Sequence, residues 1–366
     1  MQAGELDQRL LESITGRMRG PGQRVADLRA QLAANRLAAD RIGEIAARHG
    51  RETLERGMAE ALDYAERRTR ACIAEFPDGT YAATDVLEDD AGGRSRDLRI
   101  AVTVRIRGDE VDVDFNGTDP QTPGNLNCPL SVTKSAAYFV LRAVTDPDIP
   151  ASAGAYRPVH VTAPFGCMVN ARPPAAVAGG NVETSSRIAD VVALAFGRAI
   201  DVPALGQGTM NNVTLGNDTF TYYETIAGGQ GACPDANGPT AVHVAMSNTL
   251  NTPVEAIELE FPIRVTEYAV RRGSGGEGRF RGGDGVVREL EALAAMDFSL
   301  LTERRRHPPP GAVGGAPGAR GRNLLLRAPG GRAQALPSKA SGFLEPGDRL
   351  RLETPGGGGH GRKAAD

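Results

Sequence analysis

The hydrophobic period of this chain changes sharply at Pro77-Asp78-Gly79, separating a segment that can pack only as helices from one that must pair as strands. Before that turn, Val25, Leu28 and Leu32, then Ala39, Ile42 and Ala46, recur at helical spacings, and Leu54, Met58, Leu62 and Ala65 form a second such stripe. His49-Gly50 reads as the stop between two helices, so residues 1–77 are expected to form a helical hairpin. After the turn, Leu98, Ile100, Val102, Val104 and Ile106 alternate with polar residues, Gly108-Asp109 reverses the chain, and Val111, Val113 and Phe115 return as a β-hairpin.

Farther on, helices are expected over Ser131 to Thr145 and Val182 to Ile200, with a short strand at Val159 to Val161 between them. Strands are expected at Ile257 to Ile263, where alternate residues are apolar, and at Val286-Val287, Phe298 to Leu301, Leu324 to Leu326, and Leu350 to Leu352. The expected fold class is mixed α+β: a helical hairpin (1–77), a mixed α/β segment (78–200), and a β-rich, glycine-rich part (201–355). Residues 356–366 read as a tail, frayed or docked on a partner.

Composition narrows the function. A net charge of −3 creates no field that would gather nucleic acid or anionic lipid, so neither is expected as a partner. No apolar run is long enough to span a bilayer or serve as a signal peptide, and the four cysteines are scattered without metal-ligand spacing, which points to reduced thiols in a cytoplasm. None of the three lysines follows a glycine, which removes a P-loop, and no nucleophile elbow or H-E-x-x-H run occurs. The five histidines are isolated, so no local metal site is expected.

Four polar or glycine-rich stretches remain. In Ala178 to Ser185, Asn181 reads as a helix N-cap with Glu183 and Thr184 in the first turn, an arrangement that caps the helix or presents donors to an anion or a polarised carbonyl. In Gln207 to Asn212, adjacent amides including Asn211 and Asn212 can orient an amide-containing ligand or simply form a turn. Tyr222 to Gly231 carries Glu224 toward Gly228 and Gly229; Glu224 reads equally as a general base or an edge-strand charge. Ser274 to Gly285 reads as glycine-dependent turns between strands, and Arg304 to His307 as a solvated face.

In order, DLRAQLAANR (27–36), DGTY (78–81), NARPPAAVAGGNVETSSRIADV (170–191), QGTMNNVTLG (207–216), YYETIAGGQGA (222–232), MSNTLNTPVEAIELEFPIRV (246–265), GRFRGGDGVVRE (278–289) and ETPGGGGHG (353–361) resemble the hydantoinase B/oxoprolinase family. The resemblance implies a component of an ATP-dependent enzyme that opens a cyclic amide: a hydantoin, 5-oxoproline or a related lactam. It further implies an A-type ATPase partner in a hetero-oligomer, holding ATP and Mg, which phosphorylates the amide oxygen before the B-type part hydrolyses the activated ring. Within the stretches above, Glu183 and Glu224 are the candidate catalytic groups, and Asn181, Thr184, Asn211, Asn212, Gly228 and Gly229 the candidate substrate contacts.

Two departures accompany the resemblance. The family carries a further N-terminal domain with His and Asp ligands for a divalent metal, and this chain opens near the helical hairpin, so no cofactor is expected on it. The turn GGQGACPDANGPTAVHVAMSN stands where the family pattern has smaller residues and a second His near His243. Two alternatives therefore stand beside the hydrolase: a ketone carboxylase subunit on the same scaffold, and a non-catalytic remnant without the metal-binding domain.

Overall fold

A computed structural model describes residues 6–18, 21–88 and 96–363. Residues 1–5 and 19–20 of the expected hairpin segment, and 364–366 of the expected tail, lie outside the described residues.

A short helix α1 (Gln8–Thr15) precedes the hairpin of α2 (Pro21–His49) and α3 (Arg51–Ile73), which Gly50 breaks with φ 86° as its spacing in the sequence anticipates. The hairpin is an arm, not a core element. Helix α2 buries no residue, and Ile42 is 53% exposed although it lies on the expected apolar stripe. Only the far end of α3 is anchored, through Ala65, Thr69 and Ile73.

The first sheet is ordered β1 (Gly79–Leu87), β2 (Leu98–Arg107), β3 (Glu110–Asp114) and β4 (Val159–Thr162), antiparallel except for the parallel β3–β4 pair. The expected alternation holds: Leu98, Ile100, Val102, Val104 and Ile106 all point inward. Against them pack α4 (Leu130–Val144) and α5 (Ser185–Phe196), with Ile188, Val191, Val192 and Phe196 buried. Each such aliphatic or aromatic side chain removed from water contributes about 1.5–3 kcal/mol.

A second core lies between two further sheets. One is five-stranded, ordered β11 (Gln334–Leu336), β10 (Arg322–Leu326), β13 (Arg349–Glu353), β8 (Gly285–Ala292) and β7 (Ile263–Arg271). The other is four-stranded, ordered β12 (Lys339–Leu344), β9 (Met296–Leu301), β5 (Asn212–Gly216) and β6 (Thr221–Glu224). The molecule is thus mixed α+β, and Ser274 to Gly285 does form turns leading from β7 into β8.

Three expectations are corrected. Residues expected as a strand from Ile257 form helix α6 (Val254–Glu260), with β7 starting only at Ile263 after Pro262. Ile257 and Phe261 also satisfy an i, i+4 spacing, Glu255 favours the first turn, and Leu259 of the alternating pattern is 88% exposed. The glycine tail is no tail: Gly356 to His360 are buried in the chain's own interior. A Cβ on Gly357 would stand 2.0 Å from the Gln230 carbonyl oxygen, so only glycine lets these backbones approach, and Gly357 N–H donates to the Gly283 carbonyl at 2.9 Å. The arginine run is solvated only in part: Arg306 is exposed, whereas Arg304 is 2% exposed and sits among buried carboxylates.

Candidate functional site

The four-stranded sheet has two unlike faces. Val213, Leu215, Tyr222, Phe298, Leu300 and Leu344 fill the second core, so period-two alternation turns the intervening side chains to the other side. There Tyr223, Thr214, Ser299 and Ser341 lie in register across the four strands, with Asn212, Leu301 and Lys339 in register in a second row. This polar face is the floor of a cavity of about 850 Å³, a size suited to a small molecule. Its other walls bring in Gly179, Val182, Asn125, Glu88 and Arg305.

The wall nearest the floor begins in an irregular turn. Residues Gly180–Thr184 adopt π-helical geometry before the regular α5, a distortion frequent at functional sites. Gly180 enters this turn so close to the Asn127 carbonyl that a Cβ would stand 2.0 Å from its oxygen. Asn181 therefore does not cap the helix: it lies inside the π segment, no side-chain cap is made, and its carbonyl accepts from the Ser185 hydroxyl at 2.5 Å. The side chain of Asn181 is exposed and outside the cavity lining, while Thr184 is buried and donates to the Leu126 carbonyl.

Glu183 is fully buried behind the floor. Its Oε1 accepts from the Met210 N–H at 3.1 Å and from Asn212 Nδ2 at 2.7 Å, while Oε2 has no hydrogen-bond partner. Burial, with repulsion from Glu303 added, pushes its carboxyl up to about 8, so it is a neutral acid at neutral pH. Asn212 also donates to the Leu301 carbonyl at 3.0 Å and accepts from the Tyr223 hydroxyl at 2.6 Å. A continuous chain thus runs from Glu183 through Asn212 to Tyr223, whose ring opens to the cavity at 53% exposure.

Asn211 supports the site from beneath. In a left-handed conformation (φ 47°) that Asn tolerates better than most residues, it donates to Gln207 Oε1 and accepts from Arg305 Nη1 at 2.6 Å. Arg305 also donates to Asn323 Oδ1, and burial drives its guanidinium down to about 10. Lys339 contacts Glu303 and the Glu88 carbonyl, and Glu88 accepts from the N–H groups of Arg305, Arg306 and His307. Deeper still, Arg187 and Arg304 share Asp85 and Asp190 at 2.6–3.0 Å. Such a cluster ties α5, β1 and the 303–305 segment together, because removing one partner strands a buried charge.

Glu224 and the two glycines stand elsewhere. One residue beyond Tyr223, Glu224 faces the second core, held by Arg288 Nη2 at 2.9 Å, the Tyr222 hydroxyl at 2.6 Å and the Thr252 N–H at 2.6 Å. Gly228 and Gly229 are buried against Gln207 and Gly283. Of the expected positions, Asn212 lies on the cavity floor with Glu183 bonded to it from behind, and Asn211 braces Arg305. Tyr223, Thr214, Ser299, Ser341 and Lys339 were not singled out from the sequence. The alternation of β5 and β6 was the signal that could have found Tyr223 and Thr214.

The divalent metal implied by the resemblance finds no complete ligand set here: among the described residues no three His, Cys, Asp or Glu side chains converge to hold an ion. His243 Nδ1 meets the Ser247 hydroxyl at 3.0 Å. No described helix is long and apolar enough to cross a membrane.

Fold and cavity together define an α+β protein with a polar, small-molecule-sized cavity set against a sheet, beside a π-helical turn. The sequence profile of hydantoinase B/oxoprolinase matches residues 1–363, and the chain belongs to that family. It is 37% identical over 367 residues to a 5-oxoprolinase of Dictyostelium discoideum, covering 98% of this chain but only 28% of that protein. Its structure resembles an ATP-dependent caprolactamase from Pseudomonas jessenii with a TM-score of 0.87 at 27% identity, covering 98% of this chain and 65% of that one. An acetone carboxylase shares the fold with a TM-score of 0.82 at 16% identity, over 98% of this chain and 56% of that one.

Proposed function

We propose that this chain is the substrate-facing part of an ATP-dependent cyclic-amide hydrolase, acting on a hydantoin, 5-oxoproline or related lactam that an A-type ATPase subunit has activated. ATP and Mg belong to that partner, and the catalytic metal to the portion of the assembly outside these residues. One observation carries the reading: the Glu183–Asn212–Tyr223 chain ends on a polar cavity large enough for such a ring. Each amide unit of such a ring offers a donor and an acceptor, and the cavity floor supplies hydroxyls, that of Tyr223 held in place by Asn212, to meet both. The 5-oxoprolinase and caprolactamase likenesses support the same class of substrate.

The test is ATP-dependent ring opening by the chain assembled with an A-type subunit and the remaining B-type segment. Asn212→Ala is expected to lower kcat/KM at least about tenfold, the scale of one positioned hydrogen bond lost together with its neighbours' alignment. Asn181→Ala, at an exposed position outside the cavity, should stay within about twofold of wild type. Unchanged turnover in Asn212→Ala would overturn the placement of substrate on this face.

A further inference from the structure

Resting on that reading of the cavity, we infer that Tyr223 is the specificity-determining acceptor for the ring N–H of the lactam as it first binds, before the partner subunit phosphorylates its oxygen, with the hydroxyl row beside it taking the still unmodified ring carbonyl. Proton counting leads there. Asn212 Nδ2 carries two protons, and both are committed: one to Glu183 Oε1 at 2.7 Å, one to the Leu301 carbonyl at 3.0 Å. Those two partners are acceptors, because Oε1 already receives the Met210 N–H and Leu301 offers a backbone oxygen. The amide orientation of Asn212 is therefore determined, and its Oδ1 is the atom that meets the Tyr223 hydroxyl at 2.6 Å.

Being a carbonyl oxygen, Oδ1 can only accept, so the single phenolic proton of Tyr223 is spent on it. What Tyr223 retains for the cavity is an oxygen lone pair. Burial raises the phenol above its ordinary range, with the Glu183 carboxyl adding to the effect, so the proton stays in place at neutral pH. The opposite polarity lies alongside: Thr214, Ser299 and Ser341 stand in register with Tyr223. Hydroxyl rotors there can donate to a carbonyl. A small cyclic amide is held cis, so its N–H and C=O point to one side, matching an acceptor next to donors. A ring ester of the same size has no N–H and would set its ring oxygen against the Tyr223 oxygen.

The experiment measures binding of 5-oxoproline and of the five-membered lactone carboxylate of the same shape to the wild-type chain and to Tyr223→Phe. The wild type should prefer the lactam at least about tenfold, and Tyr223→Phe should bring that ratio close to one, as the lactam loses its acceptor and the lactone its repulsion. Melting curves verify that the substitution is tolerated at this half-exposed position, and Tyr223→Leu, which also lacks the oxygen, should erase the preference in the same way. A preference that survives in both variants, or a wild type that binds the two rings equally, overturns the assignment of Tyr223 alone. A wild type that binds neither ring overturns the cavity reading with it.

Discussion

A buried carboxyl with an unpaired oxygen leaves a thermodynamic signature. The Glu183 carboxyl is near 4.5 when solvated and about 8 in the folded chain. Between those values the unfolded state releases a proton that the folded state keeps, so Glu183 costs stability progressively as pH rises through that window. Glu183→Gln, which preserves the acceptor for Met210 and Asn212 without an ionisable proton, should therefore have a flatter profile. Urea midpoints at about pH 5 and about pH 8 test this: the wild type should lose more between them than the variant. Identical slopes would mean that Glu183 does not hold its proton on folding. Glu183 itself was legible as a polar residue at a helix start, yet its burial was not, because a cap and a buried acid look alike until the opposing strand is in place.

At the scale of elements, glycine separates two kinds of position. Gly43 in α2 and Gly57 in α3 have open space where a Cβ would go, so alanine there should stabilise the helices by up to about 1 kcal/mol each. Gly357 has backbone from Gln230 and Gly231 within 2.6 Å of that point, and Gly357→Ala should destabilise by more than about 3 kcal/mol or prevent soluble expression. Chemical denaturation of the three variants decides it, and a Gly357→Ala that unfolds like wild type would contradict the close packing described. The run at 356–361 reads as a loose end in sequence because glycine lowers every local propensity. In the fold the same lack of side chains lets it thread between the 228–231, 274–285 and 310–319 loops. Helix α6 was ambiguous for a related reason: Ile257 and Phe261 fit both periods, and over so short a run Pro253 and the exposure of Leu259 decided the outcome.

Across the whole molecule, stability is unevenly spread. Helix α2 packs chiefly on its neighbouring helices and buries none of its residues, whereas α5 is buried almost all round, packed on α4 and the first sheet. Amide hydrogen exchange should therefore be orders of magnitude faster across 26–49 than across 185–196 when followed by mass spectrometry. Equal protection in the two stretches would show that the arm is covered in solution. Most element types, the helical start and the β-rich remainder were determined by the sequence itself, since hydrophobic periodicity acts between neighbours and reads directly as helix or strand. Membership of the family was likewise carried by an ordered set of short segments. Only the tertiary structure decided where the site lies. Its floor and walls draw on Glu88, Asn125, Gly179, Asn212, Tyr223, Ser299, Arg305 and Lys339, brought together by pairing of strands far apart in the chain. Which of two adjacent residues, Tyr223 or Glu224, faces the cavity depends on which side of the sheet is met by the 178–182 segment and which by the second sheet. That choice is made by packing between distant segments, and no local pattern carries it.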